Sequence, residues 1–295
     1  MEKIIKIAIL TDSNAGIDIN EAKELGVYLA YTPIVIEEET FYQEDGLTKE
    51  KFYAELKSDK NITTSMPSPG DIMDRWDKLL DEGYEQIVYI PLSSGLSNSC
   101  YAAIQLSEEY NGKVQVVDNH RISVTMRQAV LDAIWMADNG KDAKEIKEAL
   151  EANAFDSIIY LTVDDLKYLK KGGRVTPAAA ALGAVLNIKP VLRTVGENFD
   201  AVDKVRGSKR AISKMLDYTE EYVNKLLENN DTSKIRIGAA GTFEKEEDAN
   251  SWLEQVKERF PNIPDIYYDP LSLVVGVHTG PEAAGIGVSL ILREE

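Results

Sequence analysis

The chain has 295 residues, 44% hydrophobic and 28% charged, enough for one large domain or two ordinary ones with a buried core. A formal charge of -17 argues against nucleic acid as the main partner and against broad docking on anionic lipid, because phosphates repel such a surface. Cys100 is the single cysteine, so no internal disulfide forms, and with two histidines a zinc site is not expected.

The opening "MEKIIKIAILTDS" lacks a basic region, an apolar core and a cleavage site in sequence, so it reads as a strand rather than a signal peptide. No apolar run reaches the ~18 residues that cross a bilayer. A cytoplasmic protein without a stable membrane anchor is the expectation.

"IKIAILTDS" predicts a buried strand ending at Asp12 and Ser13, and "NEAKELG" a helix stopped by Gly26. "VYLAYTPIVI" reads as a second strand, and "TKEKFYAELKSD" as a helix with Thr48 at its N-cap. "SPGDIMDRWDKLLDEG" is a helix, "YEQIVYIPL" a strand, "SNSCYAAIQLSEEYNG" a helix, "KVQVVD" a strand and "TMRQAVLDAIWMADNG" a helix. This alternation predicts parallel strands with right-handed crossovers, a three-layer α/β/α unit over residues 1–154.

From residue 155 to 295 the pattern changes. "DSIIYLTV" is a strand, "DDLKYLKKGG" a short helix, and "TPAAAALGAVLNI" a helix of small residues capped by Thr176 with Pro177 at its first position. "KPVLRTVGENFDAVDKV" predicts a hairpin around Gly196-Glu197-Asn198, followed by the long amphipathic helix "SKRAISKMLDYTEEYVNKLLENN". "KIRIGAAG", "IYYDPL", "LVVGVH" and "GIGVSLIL" read as strands, with the helix "EEDANSWLEQVKERF" after the first. The fold class is therefore α/β in two domains, the second with a mixed sheet and helices on one face, and a cleft between them.

Polar groups gather where apolar strands end or helices begin, in "TTSMPSPGD", "PLSSGLSNS", "KKGGRVTP" and "GVHTGP". Ligands of open α/β sheets sit at such places. Each segment also has an ordinary structural explanation. Ser97 suits an N-cap, Lys170, Lys171 and Gly172 suit a helix C-terminus, and His278 suits a strand end. A helix cap does not explain Arg174. His120 has no assigned role and Cys100 reads as a small core residue. A hydrolase using Ser93 or Ser94 with His278 is a second reading, but the order S-S-G-L-S is not a G-x-S-x-G elbow. A P-loop and a G-x-G-x-x-G fingerprint are both missing, and no cofactor is expected. A carrier of another small anion is a third reading.

Taken in order, "ILTDS", "FYQEDGLTKEKFY", "TSMPSPGD", "LSSGLS", "YLKKGGRV", "LNIKPVL", "KVRGSKRA" and "HTGP" resemble the DegV family of bacterial fatty-acid-binding proteins over nearly the whole chain. The resemblance implies a two-domain protein that is not itself an enzyme. It implies a long-chain fatty acid in a buried tunnel, its carboxylate held by Thr64, Ser93 and Ser94 with Arg174 and His278 close by. It also implies a partner, an ATP-dependent fatty acid kinase that phosphorylates the presented carboxylate for phospholipid synthesis, with Arg206 as a contact. Arg174 or a protonated His278 would offset the ligand charge, and apolar residues of "PAAAALGAVLNI" and "VLNIKPVL" would line the tail. Glu282, where the family tends to have glycine, puts an acid near the expected head group.

Overall fold

Strand β1 (Ile7–Asp12) is buried on both sides, and its residues alternate between two cores. Ile9 faces one, and Ala8 and Leu10 face the other, as the twofold period of a strand requires. The computed structural model describes residues 5–43, 46–58, 60–184 and 188–293. Residues 44–45 of the "FYQEDG" motif and 185–187 of "GAVLNI" lie outside them.

Helix α1 (Ile19–Leu25), capped by the Asp18 carboxylate and ended by Gly26 at φ 70°, leads to β2 (Val27–Ala30). β2 pairs with β1 in parallel. The predicted second strand ends there, because Tyr31, Thr32 and Pro33 leave the ladder and proline has no N–H to donate. The chain then builds a separate antiparallel sheet, order β4-β3-β5, from β3 (Ile34–Ile36), β4 (Glu39–Phe41) and β5 (Ile62–Thr64), with α2 (Lys49–Lys57) before the last. Thr48 caps α2, its Oγ1 accepting from Lys51 N–H.

Helices α3 (Pro69–Asp81) and α4 (Ser99–Ser107) flank β6 (Gln86–Ile90), and β7 (Val114–Val116) completes a parallel sheet of order β2-β1-β6-β7. α3 and α4 cover one face through Ile72, Trp76, Leu79 and Cys100. Helices α1, α5 (Ser123–Asp138) and α6 (Ala143–Ala152) cover the other. α6 is an addition to the expected elements. It starts with a capping box between Asp142 and Glu145, a pattern the sequence displays as D-A-K-E.

The remaining strands form a mixed sheet of order β10-β9-β8-β13-β11-β12. These are β8 (Ser157–Thr162), β9 (Ile188–Thr194), β10 (Asp200–Arg206), β11 (Ile235–Gly241), β12 (Asp265–Pro270) and β13 (Ala284–Leu290). β9 and β10 make the expected antiparallel hairpin, and among the described residues β11 with β12 is the one parallel strand pair of this sheet. Helices α9 (Ser208–Leu227) and α10 (Glu246–Arg259) pack on one face, where the Trp252 indole donates to Gly285 O at 3.0 Å.

The expectation of helices on one face alone does not hold. Helix α7 (Lys167–Gly172) and the four-residue α8 (Pro177–Ala180) lie on the opposite face with α5. α5 sits against both sheets because Gly238 and Gly287 leave it room. A Cβ at either would fall 2.5 Å from the Val124 side chain.

"LVVGVH" is helical. It forms α11 (Leu273–Thr279), where the Ser272 hydroxyl caps Val275 N–H. A short apolar run has no period that separates strand from helix. α11 buries Leu273, Val274 and Val277 against Ile34, Phe52 and Leu56 of the small sheet and α2, so one core joins the two ends of the sequence.

Candidate functional site

The carboxyl ends of β1 and β6 open onto the α5–α7 face of the mixed sheet, and a cavity of about 950 Å³, its opening included, lies between them. Its wall is mostly apolar, from Ile122 and Val124 of α5 and its entry, Ile159 and Leu161 of β8, Val274 and Val275 of α11, and Ile286 of β13.

Among the polar lining residues, Thr64, His278 and Arg174 form one group. Thr64, the last residue of β5, shares a hydrogen bond of 2.9 Å between its Oγ1 and His278 Nε2. His278 sits in the last turn of α11, and its Nδ1 is buried without a partner against Gly172. Arg174 donates from Nη1 to Gly172 O at 2.5 Å and from Nε to Leu96 O at 3.2 Å. Thr64, Arg174, His278 and Ser97 all line the cavity. Thr64, Arg174 and His278, far apart in sequence, are therefore held together by the small sheet, the loop after α7 and α11.

The electrostatics of this group rest on one cation. Burial, with a smaller contribution from the Arg174 guanidinium, pushes the His278 imidazole down to about 4, so at neutral pH it is an uncharged hydrogen-bonding group. A protonated His278 therefore does not supply the offsetting charge. Burial also lowers Arg174, but an arginine stays charged at any working pH. No carboxylate among the described residues pairs with it. A half-buried guanidinium with two carbonyl partners and no counter-ion favours an anion in the cavity.

The other expected residues are placed differently. Ser93 is fully buried, and its hydroxyl donates to Gly196 O at 2.5 Å, pinning the β9–β10 turn. Ser94 is buried and its N–H donates to the Asp118 carboxylate at 3.2 Å. The structure does not bring Ser93 or Ser94 into the cavity lining, and the hydrogen-bonding partner of His278 is Thr64. The cause is the returning hairpin. Gly196 packs so closely on His120 O, and Gly95 on Gly196 O, that a Cβ at either would clash. Arg206 ends β10 on the surface, among exposed Lys204, Lys209 and Arg210. Glu282 is exposed at φ 57°, and its carboxylate accepts from Glu244 N–H rather than facing the cavity. Among the described residues of "PAAAALGAVLNI", none lines it. Cys100 is buried with its thiol pushed far up by desolvation, the state of an unreactive core cysteine.

Asn14 and Thr32 are cavity residues that the sequence reading missed. The buried Asp12 carboxylate accepts from Asn14 N–H and Leu92 N–H, both at 2.8 Å, and Asn14 Nδ2 donates to Thr32 Oγ1 at 3.2 Å. Asp12 thereby ties the loop after β1 to the start of the serine-rich loop. The only signal was "TDSN" at the carboxyl end of the first strand.

Over residues 6–290 the chain matches the family model described as "Uncharacterised protein, DegV family". The chain belongs to the DegV family. A DegV domain-containing protein of Clostridium acetobutylicum is 32% identical over 98% of this chain and 99% of its own length. One from Staphylococcus aureus is 30% identical over 96% of this chain and 97% of its own. Among solved DegV structures, one from Bacillus subtilis, described as a fatty acid binding protein, is 27% identical, with a TM-score of 0.83 over 97% of this chain and 99% of that one. Another from Thermus thermophilus has a TM-score of 0.86 at 24% identity, covering 97% of this chain and all of that one, and shares the DegV fold.

Proposed function

We propose that this DegV protein binds a long-chain fatty acid, with the carboxylate at Thr64, His278 and Arg174 and the alkyl tail along the apolar wall. The observation that carries the reading is the Arg174 guanidinium, with no ion-pair partner among the described residues, beside the Thr64–His278 pair in a mostly apolar cavity. The Bacillus subtilis relative, described as fatty-acid-binding, supports it. A tail of ~16 carbons gains about 0.8 kcal/mol per buried methylene, roughly 12 kcal/mol gross. Association and ordering take back ~4–15 kcal/mol. The head group therefore decides whether the ligand stays. Thr64 and neutral His278 supply hydrogen bonds and Arg174 supplies charge.

Titration of delipidated protein with hexadecanoate and with its methyl ester tests this. The ester keeps the tail and loses the charge, so its affinity should be lower by roughly a hundredfold. Equal affinities would leave no role for Arg174 as the carboxylate partner.

The second part of the proposal is presentation to a separate ATP-dependent kinase that makes an acyl phosphate. In a chain of charge -17, exposed Lys204, Arg206, Lys209 and Arg210 form a local basic patch suited to an acidic partner surface. Arg206→Ala should retain hexadecanoate binding and lose kinase-dependent acyl phosphate formation. Loss of the lipid itself would place Arg206 in the binding site instead.

A further inference from the structure

Gly172 occupies the last position of α7 with an ordinary negative φ, a place where alanine would be the better helix former. Its neighbour Gly173 is the residue that needs to be glycine for conformation, at φ 67° in the left-handed cap. Helix chemistry therefore accounts for Gly173 and leaves Gly172 without a reason.

The reason lies across the chain. A Cβ on Gly172 would fall 2.2 Å from His278 Nδ1 and 3.0 Å from Cε1, whereas a Cβ on Gly173 would meet nothing within 4 Å. The ring has little freedom to yield, because its other nitrogen is bonded to Thr64 at 2.9 Å. The same residue's carbonyl accepts from Arg174 Nη1 at 2.5 Å. Gly172 thus touches two of the three side chains of the head-group site, His278 through an absent Cβ and Arg174 through its oxygen.

We propose that Gly172 is a positioning residue of the head-group site, its bare Cα seating the His278 ring against Thr64 while its carbonyl aims the Arg174 guanidinium. This rests on the fatty-acid reading above and adds a determinant to it. The effect of Gly172 passes through His278, so it should disappear when His278 is removed.

The experiment compares Gly172→Ala and Gly173→Ala by thermal unfolding, hexadecanoate titration and NMR of the His278 ring. Gly172→Ala should melt below the wild-type temperature, because its Cβ must displace the buried His278 ring, and lose roughly tenfold or more in affinity, the loss of one hydrogen bond to a charged group. Gly173→Ala should melt lower through left-handed strain and keep its affinity within about twofold. The His278 ring signals should move in Gly172→Ala and stay in Gly173→Ala, and its titration should rise from about 4 as the ring leaves its seat.

In the His278→Ala background, adding Gly172→Ala should cost no further affinity. It should also cost no stability there, since the ring that the Cβ would meet is gone. Wild-type binding with unmoved ring signals, an undiminished loss in the His278→Ala background, or misfolding of both Gly172→Ala proteins would overturn the proposal. If wild-type protein does not bind hexadecanoate, the fatty-acid reading fails. The ring signals still decide whether Gly172 seats His278.

Discussion

Arg174→Met should lower the affinity for hexadecanoate by about 3 kcal/mol, roughly a hundredfold, with little change in melting temperature. Methionine keeps much of the stem that packs at the cavity and removes the charge. No second cation replaces it, because burial holds His278 neutral at physiological pH. A carboxylate drawn into the cavity would then keep hydrogen bonds to Thr64 and His278 and no counter-charge. The fold should tolerate the change, since Arg174 gives up only its bonds to the Gly172 and Leu96 carbonyls. Affinity for the methyl ester should hardly move, so the preference of the wild type for acid over ester should collapse. A variant that binds acid within about threefold of wild type would show that the anion is neutralised elsewhere.

Asp269→Asn should stabilise the protein at about pH 8 by up to ~4 kcal/mol and change little near pH 4. Asp269, the penultimate residue of β12, is buried, and desolvation pushes its carboxyl from 3.8 up to about 7. Arg127 of α5 lies 3.7 Å from Oδ2, but its guanidinium is already held by the Glu21 carboxylate of α1. Arg236 of β11 helps weakly, and Asp18 before α1 repels. Gly16 presses on the same oxygen, where a Cβ would fall 2.2 Å away.

A carboxylate whose folded value lies above its unfolded one binds its proton more tightly in the native state. Stability from this group therefore falls as pH rises from about 4 to about 7, and the full cost is present above that. Asp132, raised to about 6, acts in the same direction, while depressed His278 acts in the opposite one. Both are common to the two proteins and cancel in the comparison. Denaturant melts at the two pH values check it. An equal difference at both would rule out ionisation of Asp269 as the cause.

The sequence made most of the elements legible because their signals are local. Thr48 and Thr176 cap helices as expected, Gly26 ends α1, and the hairpin turns at Gly196-Glu197-Asn198. Pro33 dividing the second strand was visible in composition, but which sheet each part joins depends on long-range pairing. "LVVGVH" could not be assigned without knowing that α2 and β3 supply a core for a helix.

The same distinction holds at the site. Arg174 was identifiable because a helix cap did not explain it. The Thr64–His278 contact spans 214 positions and needs α11 against the small sheet, so no spacing rule shows it. The hydroxyls of "SSGLS" were visible and the direction they face was not. Ser93 turned out to hold the β9–β10 turn from behind the cavity wall. Asp269 gave no signal at all, since an acid in "YYDPL" becomes unusual only when Gly16 packs against it and the fold buries it.

The identity of what fills the cavity decides the account. Organic extraction of the purified protein, with mass spectrometry of the extract, should release a free long-chain fatty acid at close to one molecule per chain. It should release far less from Arg174→Met. A phosphorylated metabolite at that stoichiometry, or equal fatty acid from both proteins, would contradict a greasy slot closed by one arginine.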